Sequence, residues 1–473
     1  MKGERREIRF MLAIIPMIVM IAAMIMTIVK FEGSPHVPLI LGTATAAIIA
    51  WKAGFTWKEI ESGIYEGIRL ALPAIVIIII VGTIIGAWIG GGIVATMVYY
   101  GLKIISPSLF LVSITVICAV VALAIGSSWS TMGTIGVAGM GIGVSMGIPA
   151  PIVAGAIISG SYFGDKMSPL SDTTNLASGI AGADLFDHIK HMFYTTIPAL
   201  VVALVVYGVM GMSYKGSSIN NENIDTIMNE LQNSFVISPW LLLVPLIVII
   251  LVAKKVPALP ALAVGVLLGC LSHIFVQGGS IGDAVNALHD GFTILSENEL
   301  MMELFNRGGI DSMMYTISLT IVAMMFGGVL EKTGMLRAIV QQILRLAKTA
   351  KSLIVTTIVS AFFTNVAAAE QYISVMLPGR MYKEAYEEKN LHPKNLSRAV
   401  EDGGTVTSVF VPWNTCGVFI LATLNVHPFE YGPYAILNYI GPVIAITMAL
   451  FGFKIAYKNE ADSLPSQVTT IGK

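Results

Sequence analysis

The chain has 473 residues, of which 55% are hydrophobic and only 12% are charged, and its mean hydropathy is +0.79. Soluble domains carry about 25% charged residues, so this composition excludes an ordinary soluble protein and is typical of a helical protein that crosses a membrane many times. The formal net charge of −1 argues against a nucleic-acid partner. The three cysteines lie in apolar segments at unrelated spacings, which match no zinc or disulfide pattern.

Apolar runs long enough to span the bilayer occur along the whole chain. The predicted membrane helices are 10–29, 37–51, 68–90, 149–182, 191–212, 237–253, 257–276, 312–331, 396–424 and 433–455. The first run has no small-residue cleavage site at its end, which favours a retained helix over a signal peptide. Two more apolar segments, 108–140 and 352–379, are interrupted at mid-length by GSSWST and TNVAAAEQ, and we predict that each forms a re-entrant hairpin.

The order of these segments indicates an internal repeat. A shift of about 242 positions pairs Gly92 with Gly334, Ser128 with Glu370, and Asp172-Thr173 with Asn414-Thr415. The stretch between the halves is rich in Asn, Ser and Glu and has to lie outside the membrane. We therefore predict a first membrane repeat at 1–212, an extracytoplasmic linker at 213–234, and a second membrane repeat at 235–473.

The distribution of positive charge predicts the topology. Basic residues near the N-terminus and at Lys454–Lys458 place both termini in the cytoplasm, while the linker suits the outside. Arg380–Arg398 is densely charged, but its repeat partner Ala138–Ala156 has no charge, so the two equivalent loops face opposite sides. The predicted fold class is an all-α polytopic membrane protein with two inverted-topology repeats. It would have about ten transmembrane helices, two re-entrant hairpins and broken helices at the midplane.

The stretch Ser161–Asn175, SYFGDKMSPLSDTTN, places charged and polar side chains inside a predicted membrane segment. A charged residue in lipid costs about 3 kcal/mol on insertion scales, so these side chains are expected to line a cavity or bind a ligand. Pro169 lacks a backbone donor and predicts a break in the helix. A broken membrane helix of this kind is typical of an ion or substrate site, although a polar loop at the membrane surface is an alternative.

Three other segments are expected to meet this break because an inverted repeat brings its half-sites together. They are Gly126–Thr131, Asn365–Gln371 and Glu401–Thr415, the last reading EDGGTVTSVFVPWNT. Their carboxylate, hydroxyl and amide oxygens suit small hard cations. A buried carboxylate that holds either a proton or a sodium ion, but not both, is sufficient for exchange of the two.

GDKMSPLSDTTN, together with GSSWSTMGT upstream and VPWNTCG late in the chain, resembles the NhaC-type Na⁺/H⁺ antiporter family of the ion transporter superfamily. The resemblance covers nearly the whole chain. It implies a secondary active transporter in the cytoplasmic membrane of a prokaryote, with Na⁺ and H⁺ as transported ions, no cofactor, no enzymatic activity and a homodimeric assembly. The family also includes relatives that couple malate uptake to lactate export, so a Na⁺/H⁺-coupled exchanger of small carboxylates stays an open alternative.

The resemblance assigns roles to residues of this chain. Asp165 and Asp172 match the acids of the motif and are the expected ion and proton carriers. The repeat pairing adds Glu370 as a second titrating group and Asn414 as a neutral partner of Asp172. The remaining predicted binding residues are Ser128, Ser168, Ser171, Thr173, Thr174, Asn175, Asn365 and Thr415. The expected Na⁺ ligands are Asp172, Thr173, Asn175 and Asn414.

Purely structural alternatives exist for several of these residues. Asp165 would pair with Lys166 or another lysine, Asp172 would cap the second half-helix, and Glu370 would be hydrogen-bonded at a hairpin tip. We expect Glu401 and Asp402 to lie on the solvated inner surface, and the histidines to be loop residues. The histidines concerned are His188, His191 and His392. A channel and an intramembrane enzyme are two further classes, and the sequence has no HExxH or nucleotide-binding loop to favour the enzyme.

Overall fold

The computed structural model describes residues 7–31, 33–214, 218–254, 256–296 and 298–458. Regular structure in these ranges is helical, apart from isolated β-bridges between Phe292 and Arg307 and between Leu391 and Tyr457. Seven helices are long and apolar enough to cross a membrane, and three sharply bent helix pairs raise the number of candidate spans in the described ranges to ten. The chain is thus an all-α polytopic membrane protein.

The helices follow one another with short connections. Those before residue 240 are α1 Phe10–Ala13, α2 Ile15–Ile25, α3 His36–Lys52, α4 Trp57–Gly90, α5 Ile93–Ile104, α6 Pro107–Ile125, α7 Ser128–Thr131, α8 Val137–Ser145, α9 Ala150–Met167, α10 Asp172–Ala181, α11 Leu185–Met212 and α12 Ser218–Ser234. Those after it are α13 Leu243–Ala253, α14 Ala258–Phe275, α15 Ile281–His289, α16 Glu299–Phe305, α17 Met314–Lys332, α18 Met335–Leu344, α19 Ala350–Ala368, α20 Gln371–Glu388, α21 Pro393–Val400, α22 Thr415–Leu424, α23 Pro428–Tyr431 and α24 Ile436–Phe451.

Helix α4 shows how the bundle packs. Its 34 residues begin at a capping box formed by Thr56 and Glu59. Its glycines allow close helix crossings: a Cβ on Gly67 would lie 2.1 Å from the carbonyl oxygen of Met324 in α17. Close approach through small residues is the usual way in which membrane helices associate, because lipid gives no hydrophobic drive between them. Large apolar side chains on the outer faces of the bundle, such as those of Leu109 and Val205, are exposed to the surroundings.

Both predicted breaks are present, and each predicted hairpin segment folds into antiparallel helices. The first arms of the hairpins, α6 and α19, are themselves among the seven candidate spans, so the re-entrant path stays a prediction. The predicted span 149–182 is two helices, because α9 ends at Met167 and α10 begins at Asp172. The predicted span 396–424 is also broken: Pro393–Phe410 and α22 meet at an angle of 46°. The arms α19 and α20 run antiparallel, since hydroxyls pair Ser360 with Tyr382 and Thr357 with Tyr386. A Cβ on Gly139 would meet Ile114, and one on Gly143 would meet Phe110, which shows the same antiparallel packing for α6 and α8.

The linker contains more structure than its polar composition indicates. Ser218–Ser234 forms a helix, and the side chains of Ile227 and Leu231 are buried against the membrane bundle. The amide of Gln232 also donates to the Tyr99 hydroxyl at 2.9 Å. The placement of this segment outside the membrane stays a prediction.

Matching backbone features support the predicted repeat, although the division into two halves stays a prediction. Gly92 and Gly334 both adopt a left-handed conformation directly before α5 and α18. Gly126 and Ala369 do the same at the two hairpin tips, with φ of +76° and +59°. Ser171 and Asn414 are extended N-caps after the two helix breaks. The offset is 242 for the first pair (334 − 92) and 243 for the others (369 − 126 and 414 − 171). At the helix breaks the backbone therefore pairs Asp172 with Thr415, one residue beyond the Asn414 that the sequence shift of 242 pairs with it.

Candidate ion-binding site

A cavity of about 250 Å³ lies where the first hairpin tip, the break between α9 and α10, and the second hairpin tip meet. Three carboxylates line it, those of Asp165, Asp172 and Glu370, together with Ser127, Ser128, Thr173 and Tyr372. The remaining wall is largely apolar and comes mainly from α4 and α20: Leu70, Pro73, Ala74, Ile77, Trp129, Gln371, Ile373 and Met376. None of the described residues that line this cavity is a lysine, arginine or histidine.

Asp165 connects the broken helix to the first hairpin tip. Its Oδ2 accepts hydrogen bonds from the backbone N–H and the hydroxyl of Ser128, at 3.1 and 2.7 Å. Its Oδ1 has no hydrogen-bond partner, although the side chain is buried. The alternative in which Asp165 pairs with Lys166 is wrong, because the Lys166 ammonium bonds to Asp402. Asp165 therefore presents one unpartnered oxygen in a cavity whose described lining residues include no basic side chain.

Asp172 is the first residue of α10 and lies beside the second hairpin. Its Oδ2 accepts a hydrogen bond from the Tyr372 hydroxyl, and its Oδ1 accepts one from the Thr173 N–H at 2.9 Å. The residue that caps α10 is Ser171, whose hydroxyl accepts from the Thr174 N–H at 3.4 Å. The alternative in which Asp172 serves only as the cap is thus wrong, and its carboxylate faces the cavity.

Glu370 combines a structural contact with a position at the cavity. It is the N-cap of α20, where its Oε2 accepts from the Ile373 N–H at 3.1 Å. A carboxylate at a helix N-terminus is stabilised by the unpaired N–H groups and by the helix dipole. Glu370 is therefore hydrogen-bonded at the hairpin tip, as the structural alternative predicts. Its side chain also lines the cavity.

Several of the predicted neutral ligands hold the break in α9–α10 together. The Asn175 amide donates to the carbonyl oxygens of Pro169 and Ser171, at 2.9 and 2.6 Å. The Ser168 hydroxyl accepts from the Leu170 N–H at 3.2 Å. The Thr174 hydroxyl donates to the Lys166 carbonyl at 3.0 Å. These contacts satisfy backbone groups that the break leaves without helical partners.

The residues predicted from the second break form a separate cluster. The Asn414 amide donates to Asn365 Oδ1 at 3.1 Å, and Asn365 donates to the Gly404 carbonyl at 2.6 Å. Asn414 Oδ1 accepts from the Cys416 N–H at 3.0 Å, and the Thr415 N–H donates to the Ala369 carbonyl at 3.0 Å. Of the four predicted Na⁺ ligands, Asp172 and Thr173 line the cavity, whereas Asn175 and Asn414 are not among its lining residues.

A layer of buried charges lies behind the cavity, and the sequence analysis missed it. Glu401 and Asp402 are fully buried, so the expectation that they lie on the solvated surface is wrong. The Lys166 ammonium bonds to Asp402 Oδ1, which also accepts from the Thr195 hydroxyl at 3.2 Å. The buried guanidinium of Arg398 lies 4.0 Å from the other oxygen of Asp402. Asp402 therefore lies beside two cations, whereas the Arg398 guanidinium nitrogens and Glu401 Oε2 have no hydrogen-bond partner among the described residues.

The expectation of loop histidines is wrong for His188 and His191, which are buried in α11. His188 Nε2 lies 3.5 Å from Glu401 Oε2. His392 is the N-cap of α21, where its ring accepts from the Lys394 N–H at 3.3 Å. Sequence signals for this layer existed: His188, His191 and Thr195 recur at spacings of three and four, which places them on one face of a helix.

Comparison with known proteins identifies the family of this chain. Residues 160–453 match the model of the Na⁺/H⁺ antiporter family. The chain is 39% identical over 436 residues to the Na⁺/H⁺ antiporter NhaC of Alkalihalophilus pseudofirmus, covering 92% of this chain and 93% of that protein. It is 37% identical to NhaC of Bacillus subtilis, covering 95% and 99% of the two chains. It is also 37% identical to the malate-2H⁺/Na⁺-lactate antiporter of Bacillus subtilis, covering 92% and 93%. The chain therefore belongs to the Na⁺/H⁺ antiporter family.

Proposed function

We propose that this protein exchanges Na⁺ for H⁺ across the membrane by alternating access. The observation that supports this most directly is the cavity itself, which has three carboxylates and no basic residue among its described lining residues. Such a site attracts cations and disfavours anions. The names of the two NhaC relatives describe the same exchange.

The charge balance of the described buried residues supports cation binding as well. Four buried carboxylates, those of Asp165, Glu370, Glu401 and Asp402, accompany two permanent cations, Lys166 and Arg398. Uncompensated charge in a low-dielectric interior is costly, so the excess carboxylates require protons or metal cations. A carboxylate neutralised by either a proton or Na⁺ lets the two ions compete for one site, and this competition couples their movements.

Ligand exchange at Asp165 and Asp172 requires the hairpin tips to move relative to the broken helix. Both carboxylates are held from the hairpins, Asp165 by Ser128 and Asp172 by the Tyr372 hydroxyl. Motion of one inverted repeat against the other would open the cavity to alternate sides while these contacts are remade. No cofactor is needed, because the ion gradients supply the driving force.

A second candidate is the exchange of small carboxylates, which the printed name of one relative describes. The cavity volume of about 250 Å³ and its apolar wall favour it, since a bare ion needs less space. An organic anion would need a basic partner, but the buried Lys166 and Arg398 do not line this cavity, and Lys166 is bonded to Asp402. We therefore place this function second.

The membrane location, the orientation and the assembly predicted from the sequence belong to the same proposal. We place the protein in the cytoplasmic membrane of a prokaryote with both termini inside, as the distribution of lysine and arginine favours. A homodimeric assembly rests on the resemblance to the superfamily. Cysteine accessibility from the two sides of sealed vesicles would test the orientation, and crosslinking in the membrane would test the assembly.

The exchange is tested by reconstituting the full chain in vesicles that contain a trapped pH dye. A pH gradient is imposed, and Na⁺ is added alone, with malate, or with lactate, while K⁺ serves as the control ion. We expect Na⁺ alone to dissipate the gradient, and we expect Asp172→Asn to lose this response. Asp184→Asn is the matched control, because Asp184 caps α11 away from the cavity. A response that requires an organic acid would replace the proposal with the second candidate.

A further inference from the structure

Three threonine hydroxyls surround one carboxylate oxygen behind the cavity. Glu401 Oε1 lies 3.3 Å from Thr173 Oγ1, 3.5 Å from Thr174 Oγ1 and 3.3 Å from Thr405 Oγ1. All four side chains are buried. They come from the start of α10 and from the π-helical turn Glu401–Thr405 that follows α21. Turns of this π-helical type occur frequently at functional sites.

These contacts are too long to be ordinary hydroxyl hydrogen bonds, which have oxygen–oxygen distances of about 2.7–2.8 Å. A threonine hydroxyl has a single proton, and that of Thr174 already goes to the Lys166 carbonyl at 3.0 Å. The Thr174 oxygen thus turns lone pairs toward a carboxylate oxygen that also has only lone pairs. Two acceptors facing each other in a buried space repel unless a positive charge lies between them.

The spacing fits the shell of a small hard cation. Ca²⁺, which has nearly the radius of Na⁺, binds oxygens at about 2.4 Å, and adjacent oxygens of an octahedral shell then lie roughly 3.4 Å apart. The three contacts of Glu401 Oε1, at 3.3–3.5 Å, match this separation. Hydroxyl and carboxylate oxygens are also the ligand types that such cations prefer.

A second observation points to a ligand at the same place. The other oxygen of Glu401, Oε2, has no hydrogen-bond partner although the side chain is fully buried. Among the described residues, the one basic group within 4 Å of Glu401 is His188, at 3.5 Å. The nearest carboxylate to both Lys166 and Arg398 is Asp402, so these cations do not neutralise Glu401.

The site adjoins the main cavity through Thr173. Thr173 lines that cavity, and its hydroxyl is one of the three that approach Glu401. It also contacts the Ser171 hydroxyl at 3.1 Å. An ion in the cavity would therefore reach Glu401 by passing a single side chain.

We propose that Glu401, Thr173, Thr174 and Thr405 form a second cation site, separate from the cavity carboxylates and selective for Na⁺ over the larger K⁺. This inference rests on the proposed function, which identifies Na⁺ as the transported cation. The protein then has two Na⁺ sites, one in the cavity and one between Thr173 and Glu401.

The test is equilibrium binding of radioactive ²²Na⁺ to the purified full chain in detergent, with K⁺ as competitor and with the number of ions per chain counted. We expect Thr405→Val, which keeps the shape but removes the hydroxyl, to weaken Na⁺ binding at one site at least tenfold. Thr405→Ser keeps the hydroxyl and should bind as the unmodified protein does. Glu401→Gln should lose one Na⁺ per chain.

The matched control is Thr320→Val, since the buried Thr320 hydroxyl bonds only to the Thr316 carbonyl within α17. It should leave Na⁺ binding unchanged. Unaltered affinity and ion number in Thr405→Val would overturn the inference, even if Glu401→Gln fails to fold. Unaltered binding in these variants alongside Na⁺/H⁺ exchange by the unmodified protein in vesicles would reject the second site alone. Absence of exchange by the unmodified protein would instead reject the proposed function.

Discussion

The two hairpin tips of this protein share a backbone and differ in chemistry. Each tip turns through one left-handed residue, Gly126 in the first and Ala369 in the second, and an extended N-cap follows. Each tip also contacts the helix break beside it. A Cβ on Gly126 would lie 2.7 Å from Leu170 at the first break, and the Ala369 carbonyl accepts from the Thr415 N–H at the second.

The two halves carry their cavity carboxylates at different members of these matched positions. The first half carries its carboxylates on the broken helix, at Asp165 and Asp172, whereas the second half has Ser408 and Thr415 at the same offset of 243 (165 + 243 and 172 + 243). The second half contributes its cavity carboxylate from the hairpin, where Glu370 stands at the position of Ser127 (127 + 243). Three cavity carboxylates can thus approach one another without any occupying equivalent positions. The comparison teaches that the two tips share their backbone conformation while their carboxylates stand at different positions.

The largest expected effect separates Asp165 from its counterpart Ser408. Asp165→Asn removes a buried carboxylate from the cavity wall, and we expect Na⁺-dependent proton movement in vesicles to fall to the level of protein-free vesicles. Ser408→Ala removes only a hydroxyl that bonds to the Thr405 carbonyl at 2.7 Å, and exchange should persist. Equal loss in both variants, with normal folding, would show that the two halves contribute alike.

The helix breaks could be predicted from the sequence because charged and polar side chains are rare inside apolar membrane segments. Charged and hydroxyl side chains beside Pro169 have no reason to interrupt an apolar run unless the helix stops there, and α9 does end two residues before this proline. Both hairpins were predicted for the same reason. Helix α12 was missed because its apolar residues are few and its packing partners lie far away in the sequence.

The buried charges behind the cavity were misjudged because their partners are distant. Asp402 looks solvent-exposed in a charged segment, but its partner Lys166 is 236 positions away. Asn175 has a structural role that the sequence did not reveal. Its NH₂ group holds the backbone of the break, as amides in such loops often do, and its assignment as a Na⁺ ligand stays a prediction. The sequence identified the oxygen-rich region, but it did not show which of the polar atoms there are used in hydrogen bonds within the protein.

A smaller effect is expected from the N-caps of the two tips. Glu370→Gln keeps a carbonyl oxygen that can accept from the Ile373 N–H but removes the charge, and we expect the rate of exchange to fall by about tenfold, or about 1.4 kcal/mol. Ser127→Ala removes a cap that accepts from the Ser130 N–H at 3.2 Å, which should lower stability by about 1 kcal/mol and leave exchange largely intact. Initial rates and thermal unfolding of both variants, measured side by side, distinguish the two outcomes. A slower rate in Ser127→Ala than in Glu370→Gln would contradict this assignment.

The left-handed residues at the tips give a test of stability. Ala369→Gly should stabilise the protein by up to about 1 kcal/mol, because glycine adopts a positive φ without the steric cost that alanine bears. Gly126→Ala should destabilise it by more than this amount, since the new Cβ would also meet Leu170. Thermal unfolding in detergent measures both. A gain in stability from Gly126→Ala would show that the first tip is looser than its contacts indicate.

The smallest effect is expected at Thr415, which was predicted as a binding residue and corresponds in structure to Asp172. Its backbone N–H makes the contact with the Ala369 carbonyl, while its hydroxyl has only a long contact of 3.5 Å to Asn414 Oδ1. Thr415→Val keeps the shape and the backbone contact, so exchange rate and apparent Na⁺ affinity should change by less than about twofold, since a hydrogen bond this long contributes little. Asp172→Asn in the same vesicles is the reference for a position that binds. If Thr415→Val instead weakened Na⁺ affinity as strongly as Asp172→Asn, the second break would be an ion-binding element, and the asymmetry between the two halves would be lost.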